Sequence, residues 1–115
     1  MKILFLDDNN KRAEFFLQYN NATWTATAQG CIACLEADIY DCVYLDHDLD
    51  GKVYVDSNSP RTGMEVVRYL INDTSRKHKD TIFIIHSWNM DAANLMLATL
   101  INYDYKAIYL PYVMV

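Results

Sequence analysis

Carboxylates, two histidines and small polar side chains follow directly on three apolar runs of this sequence. These three polar stretches are Asp7-Asp8, Asp46-His47-Asp48 and His86-Ser87-Trp88-Asn89. An imidazole changes its charge near neutral pH, so a pair of histidines can supply a general base and a general acid. Clustered carboxylates can hold a divalent cation or orient a histidine. The residue types therefore predict an acidic active site in which histidine moves protons.

The scaffold for these stretches is predicted from the apolar pattern along the chain. Runs rich in apolar or β-branched residues predict strands over 3–6, 23–27, 42–45, 81–85 and 107–110. Apolar residues at helical spacing predict helices over 11–19, 28–37, a segment after a Thr62 N-cap, and about 91–101. A loop over 50–61 precedes the third helix. This alternation predicts a parallel α/β sheet with right-handed crossovers.

All three polar stretches lie at the carboxyl ends of predicted strands, namely the first, third and fourth. Run 42–45 lacks polar alternation, which is typical of a strand buried on both faces of a parallel sheet. Open α/β sheets bind ligands at the carboxyl ends of their strands. We therefore expect the three stretches to converge on one cleft.

Length and charge bound the class of protein. With 115 residues, 52% of them hydrophobic, and no linker-like tract, we expect one domain over residues 1–115. The amino terminus becomes acidic at Asp7-Asp8, too early for a signal peptide or a membrane span, which predicts a cytoplasmic protein without membrane contact. Cys31 and Cys34 complete no zinc site and are expected to be buried thiols. A net charge of −5 with scattered basic residues argues against duplex DNA as a partner.

Over nearly its whole length the sequence resembles response-regulator receiver domains. Residues 2–8 are similar to a receiver first strand with its acidic pair, residues 41–46 to the strand that ends in the phosphoacceptor, and Ser87 to the hydroxyl position after the fourth strand. The resemblance implies a doubly wound five-stranded parallel sheet in the order 2-1-3-4-5, here lacking the final helix. The receiver lysine is replaced by Leu110, before Pro111, so a phosphoryl group on Asp46 would lose a principal charge partner.

A closer resemblance is to the cyclic-phosphate-processing receiver domains, a receiver-derived family common in phages and prokaryotic conflict systems. It is carried by Leu6-Asp7-Asp8 with Arg12, Leu45-Asp46-His47-Asp48-Leu49, Thr62-Gly63 and Ile85-His86-Ser87-Trp88-Asn89. The resemblance implies action on a cyclic phosphate. For a phage protein it also implies a role against nucleotide-based defence in the host cytoplasm.

Opening a cyclic phosphodiester needs an activated water, a proton for the leaving oxygen and stabilisation of the charged transition state. His47 and His86 can supply base and acid in either assignment, and Asp46 is expected beside them at the catalytic centre. Arg12 can grip the phosphate oxygens, or it can form an ion pair with Asp8.

Three further side chains are expected to bind substrate. Ser87 and Asn89 can donate hydrogen bonds to a phosphate. Trp88 can stack on a nucleobase, with a lid or a core contact as the alternative.

The carboxylates would repel a phosphate unless their charge is balanced. Asp8 and Asp46, helped by Asp7 or Asp48, would form an oxygen site suited to a divalent ion such as Mg²⁺ or Mn²⁺. Alternatively, a carboxylate orients each histidine and no metal is needed.

Three functions are compatible with the sequence. The first is a phosphodiesterase that opens a cyclic nucleotide or a 2′,3′-cyclic RNA end. The second is a non-hydrolytic binder of such a nucleotide, or an inhibitor of a partner protein. The third is a degenerate receiver that accepts a phosphoryl group at Asp46.

Two expectations concern residues away from the cleft. His78, next to Lys77 and Lys79, is expected to face solvent. The aromatic cluster near the carboxyl end is expected to help form a homodimer interface, where aromatic residues are favoured. Its members are Tyr103, Tyr105, Tyr109 and Tyr112.

Overall fold

The computed structural model describes residues 1–49 and 55–111. Five parallel strands form one sheet in the order β2-β1-β3-β4-β5. The strands are β1 Ile3–Leu6, β2 Ala22–Thr25, β3 Cys42–Leu45, β4 Ile82–Ile85 and β5 Lys106–Tyr109. The helices are α1 Asn10–Tyr19, α2 Ala28–Ala37, α3 Gly63–Asn72 and α4 Met90–Asn102. The predicted sheet order is confirmed, and the described residues contain no helix after β5.

The apolar runs form the central strands because both sheet faces are covered there. Leu4, Phe5 and Leu6 of β1 have no exposed surface, and Leu45 of β3 has none either. Side chains on one face join the main core with α2, α3 and α4, where the residues of α3 at helical spacing, Met64, Val66, Val67 and Leu70, are all buried. Burial of such side chains is the dominant favourable term in folding.

A smaller core lies on the other face of the sheet, under α1. Phe5 stacks on Phe16 with ring centroids 4.1 Å apart, and Ala13 is buried beside them. Tyr44 of β3 packs against the same group. This second core fixes α1, and therefore Arg12 in its first turn, against the carboxyl end of β1.

Helix caps define where three helices begin. The side-chain oxygens of Asn9, Thr27 and Asn89 accept backbone N–H groups of α1, α2 and α4. Thr62 occupies the N-cap position of α3 as predicted, but its side chain does not cap the helix. Its hydroxyl instead donates to the carbonyl of Ser59 at 3.0 Å, which fastens the preceding loop.

Two residues lie in environments that differ from the sequence expectation. His78 has no exposed surface, and one ring nitrogen lies 2.9 Å from the carbonyl of Leu35, so the prediction that it faces solvent is wrong. Tyr105 is also buried, and its hydroxyl donates to the carbonyl of Leu70 at 2.7 Å, so it belongs to the core and not to a surface. In both cases a backbone carbonyl accepts a hydrogen bond from the side chain, which offsets part of the cost of burying it.

Two sequence predictions include residues that lie outside the described ranges, namely positions 50–54 of the predicted loop and Tyr112 of the tyrosine cluster.

Among the helices at 10–19, 28–37, 63–72 and 90–102, none has the length and apolar character that a membrane crossing requires.

Candidate functional site

The carboxyl ends of three strands bring Asp7, Asp46 and His86 together. Leu6, Leu45 and Ile85 are aligned across β1, β3 and β4, so the next residue of each strand emerges at one level of the sheet. One ligand atom from each of these three next residues lies within 4.8 Å of the others, and all three are buried. Among the described residues, this is the group that could hold a metal ion.

Asp7 is the most heavily hydrogen-bonded carboxylate of the group. Arg12 donates through Nε to Oδ2 at 2.8 Å and through Nη2 to Oδ1 at 3.0 Å. Nε2 of His86 lies 3.0 Å from Oδ2, and the backbone N–H of Asn9 donates to Oδ1 at 2.8 Å. Burial by itself would raise the pKa of Asp7, but the hydrogen bonds from His86 and Arg12 outweigh it and hold the pKa below its usual value.

Asp46 has the opposite titration behaviour, although it lies beside Asp7. It is 5% exposed, and its nearest cation is Nη2 of Arg12 at 3.5 Å. Burial, and then the negative charge of Asp7, raise the pKa of Asp46 to about 8. Asp46 is therefore a neutral acid near pH 7, next to an ionised Asp7. Such a pair with separated pKa values is typical of acid–base sites.

His86 is a neutral imidazole held in one orientation. Burial lowers its pKa, and its ring stacks on Phe5 with centroids 5.1 Å apart. Because the carboxylate of Asp7 only accepts hydrogen bonds, Nε2 of His86 carries the hydrogen of this contact. Asp7 therefore fixes the tautomer of His86.

His47 has a different set of partners from His86. Its ring has no exposed surface, and Nδ1 lies 2.7 Å from Oδ1 of Asp48. Nε2 lies 3.0 Å from Oγ of Ser57. Each histidine is thus paired with its own carboxylate, which is the metal-free arrangement that the sequence left open.

Asp48 is held in place by two further donors. Its Oδ1 accepts the backbone N–H of Val55 at 3.1 Å and Nδ2 of Asn89 at 3.3 Å. Asn89 also accepts the N–H of Ala92 through Oδ1, so one side chain caps α4 and positions Asp48. This contact gives Asn89 a positioning role in addition to any contact with substrate.

The remaining predicted site residues occupy the margin of the site. Ser87 is 2% exposed; its Oγ accepts the N–H of Asn89, and its carbonyl accepts the hydroxyl of Tyr109. The residue after β4 that joins Asp46 is His86, not Ser87. Trp88 is 68% exposed, as a stacking platform would require. Asp8 is partly buried and lies outside the three-residue group.

Two contributors to the site were not predicted from the sequence. Ser57 lies in an irregular loop, where nothing in the sequence distinguishes it from Ser59 or Ser75. Arg68 lies on α3 and donates to the carbonyls of Ser57 and Ser59 at 2.7 and 2.9 Å, which anchors that loop. Only the three-dimensional contacts reveal either residue.

Gly63 explains the close approach of α3 to the site. A Cβ atom at this position would lie 1.8 Å from the carbonyl oxygen of Asp46. The N–H of Gly63 donates to the carbonyl of His47 at 2.9 Å. The Thr62-Gly63 pair thus lets the start of α3 contact the backbone of Asp46 and His47.

Comparison with known proteins identifies both a family and a fold. A family model described as "Cyclic-phosphate processing Receiver domain" matches residues 2–102. No curated protein matches.

Several solved structures similar to the chain are receiver domains. A CheY-like receiver domain from Methylobacillus flagellatus is 16% identical, with a TM-score of 0.65, and the match covers 99% of this chain and 87% of that one. A CheY-like receiver from Methanospirillum hungatei is 16% identical, with a TM-score of 0.68 and coverage of 98% and 82%. Response regulator TrrA from Thermotoga maritima, solved with Mg²⁺ and BeF, is 19% identical, with a TM-score of 0.64 and coverage of 98% and 87%. At these identities the likeness establishes the receiver fold alone.

Proposed function

Because the chain belongs to the cyclic-phosphate processing receiver domain family, we propose that it is a cytoplasmic phosphodiesterase that opens a cyclic phosphate. The substrate is a cyclic nucleotide or a 2′,3′-cyclic end of RNA. The observation that carries the proposal is the pairing of His47 with Asp48, next to the buried Asp46. A histidine oriented in this way is prepared for proton transfer without reorganisation.

His47 is the base in this reaction. Asp48 accepts the hydrogen of Nδ1, so Nε2 of the neutral ring bears the lone pair. That nitrogen faces a hydroxyl group, because Oγ of Ser57 lies 3.0 Å away. His47 therefore accepts the proton of the nucleophile that attacks the phosphorus atom.

Asp46 is the acid. With a pKa raised to about 8 by burial, it carries a proton near pH 7 and can give it to the leaving oxygen. Arg12 lies between Asp7 and Asp46 with its side chain 28% exposed, so its guanidinium can contact a phosphate from the solvent side. His86 stays neutral and holds Asp7 in place.

The acidic group fits a resident metal ion poorly. Asp7 uses both oxygens to accept Arg12, and Nε2 of His86 donates to Asp7 instead of presenting a lone pair. The guanidinium thus occupies the two Asp7 oxygens, one of which a divalent ion in this group would need. The proposed reaction uses this organic cation, and added Mg²⁺ or Mn²⁺ is expected to change the turnover little.

The test is a mass-resolved incubation of the purified protein with cyclic mononucleotides, cyclic dinucleotides and an RNA with a 2′,3′-cyclic end. We expect one substrate class to gain one water, with the product lost in His47→Ala and in Asp46→Asn. His78→Gln is the matched histidine control, because His78 contacts Leu35 away from the site, and it should retain turnover. A nucleotide that is retained and released unchanged would contradict hydrolysis and favour a sponge, for which the exposed Trp88 offers a stacking surface.

The sequence predicts a homodimer through the tyrosine cluster; because Tyr105 is buried, we propose that the dimer uses the sheet face opposite α4 instead. Ile82 and Ile108 are 43% and 50% exposed there, while Ile84 between them is nearly buried. Such apolar strips are typical of interfaces between subunits. Sedimentation should show a dimer that Ile108→Asp converts to a monomer, and a monomeric unmodified protein would contradict the proposal.

A further inference from the structure

Ser57, His47 and Asp48 form a continuous chain of hydrogen bonds. Oγ of Ser57 lies 3.0 Å from Nε2 of His47, and Nδ1 of the same ring lies 2.7 Å from Oδ1 of Asp48. His47 is fully buried, whereas Ser57 is only partly buried. Ser57 is therefore the end of this hydrogen-bond network that a ligand can reach.

The direction of these hydrogen bonds is set by Asp48. An ionised carboxylate only accepts, so Nδ1 of His47 donates and Nε2 of the neutral ring accepts. The hydroxyl of Ser57 is then the donor to Nε2. This is the relation in which a histidine activates a serine hydroxyl, and it is recognised by geometry and not by the order of residues in a sequence.

The backbone around Ser57 is fixed by α3. Arg68 donates to the carbonyl of Ser57 through Nη1 at 2.7 Å and to the carbonyl of Ser59 through Nη2 at 2.9 Å. Its Nε donates to Glu65 on the same helix at 2.7 Å. Because the guanidinium of Arg68 makes three hydrogen bonds, it keeps Ser57 in a fixed position relative to His47, which a nucleophile requires.

We propose that Ser57 is the nucleophile that opens the cyclic phosphate, an inference that rests on the proposed phosphodiesterase function. Oγ forms a bond to phosphorus while its proton passes to Nε2 of His47. The bond from phosphorus to one ring oxygen breaks, and that oxygen takes the proton of Asp46. The result is a phosphodiester of Ser57 with the opened nucleotide.

Water completes the cycle. Its oxygen forms a bond to phosphorus, and the proton it loses returns to Asp46. The bond from phosphorus to Oγ breaks, and Oγ recovers its proton from His47. The enzyme is restored, and the product is the phosphate monoester.

The experiment follows the stereochemistry at phosphorus. A P-chiral cyclic phosphorothioate of the substrate class found by the mass assay is hydrolysed in ¹⁸O-water. Two displacements retain configuration, whereas direct attack by water inverts it. We expect retention for the unmodified protein, a mass adduct on Ser57 after acid quench, and a fall in turnover of about 10²–10⁴-fold in Ser57→Ala. Ser59→Ala, in the same loop, should keep the unmodified rate.

Inversion, or an unmodified rate in Ser57→Ala, would overturn the nucleophile while leaving the phosphodiesterase function intact. If no cyclic phosphate is opened at all, the proposed function fails. The reactivity of Ser57 is then tested by its labelling with a fluorophosphonate probe. Labelling of Ser57 that is lost in His47→Ala would support an activated serine. Absence of labelling would overturn it.

Discussion

Nδ1 of His47 lies 2.7 Å from Oδ1 of Asp48, the next residue in the chain. Gly63, the first residue of α3, donates to the carbonyl of His47 and so holds the backbone beside this contact. Oδ1 of Asp48 also accepts from the N–H of Val55 and from Nδ2 of Asn89. These donors fix the carboxylate that orients the imidazole of His47.

Replacement of Asp48 by Asn should abolish most activity with little effect on folding. The amide can present its N–H₂ to Nδ1 of His47 and stabilise the wrong tautomer, so kcat should fall by about 10²–10⁴-fold. Steady-state kinetics with the substrate class found by the mass assay give the measurement. Asp56→Asn is the control, because Asp56 is an exposed carboxylate of the same loop whose Oδ1 accepts the backbone N–H of Asn58. Equal kcat in both variants would remove Asp48 from the mechanism.

Replacement of Arg12 by Met should destabilise the protein. Asp7 has no exposed surface, and it would lose both guanidinium hydrogen bonds while remaining buried. Loss of one partner of a buried pair costs on the order of 3 kcal/mol in the free energy of unfolding. Urea denaturation followed by tryptophan fluorescence measures it, since Nε1 of Trp24 donates to the carbonyl of Asp7. If the exposed control Lys11→Met lost as much stability, the ion pair would have no such role.

The free energy of unfolding should fall as pH rises from about 7 to 8, a window above the ordinary pKa of 6.5 of the buried histidines His78 and His86, which are mostly neutral there in both states. Burial raises the pKa of Asp46 from 3.8 to about 8 in the folded protein, so between these values the native state holds a proton that the unfolded chain has released. The slope contributed by this one group is at most about 1.4 kcal/mol per pH unit. Urea denaturation at a series of pH values measures it.

Asp46→Asn should flatten that slope, because the amide is neutral at every pH. Asp80→Asn should leave the slope unchanged, since the side chain of Asp80 is 83% exposed. An unchanged slope in Asp46→Asn would mean that Asp46 is already ionised in the native state, and it would then not serve as the acid.

The architecture could be predicted because each element follows from local chemistry. The buried strand at 42–45 and the inward stripe of α3 correspond to patterns visible in the sequence, and Thr62 lies at the predicted N-cap position although its side chain does not cap the helix. The meeting of Asp7, Asp46 and His86 follows from the same reasoning, since parallel strands in register end at one edge.

The parts that escaped prediction depend on contacts between distant residues. His78 lies among charged neighbours in sequence, yet a carbonyl of α2 accepts its ring nitrogen and allows burial. Ser57 is one serine in a polar loop, and it is Arg68, distant in sequence on α3, that fixes its backbone beside His47. Neither partner lies at a spacing that a periodic pattern could reveal.

Replacement of Gly63 by Ala should disturb both stability and activity. The added Cβ would meet the carbonyl oxygen of Asp46 at 1.8 Å, and backbone on both sides would have to move. Overpacking of this kind costs about 1–3 kcal/mol, and the shift would displace Asp46 and His47 together. In Gly30→Ala the nearest atom is the side-chain oxygen of Thr27 at 3.1 Å, so the melting temperature should change much less. Similar melting temperatures for the two variants would contradict the close packing at Gly63.

The central claim is that this site opens a cyclic phosphate, and ³¹P NMR of one reaction tests it most directly. The resonance of the cyclic phosphate should be replaced by that of a monoester in the presence of the unmodified protein, and it should persist with His47→Ala. Persistence of the cyclic resonance with the unmodified protein, across every substrate class of the panel, would contradict the claim.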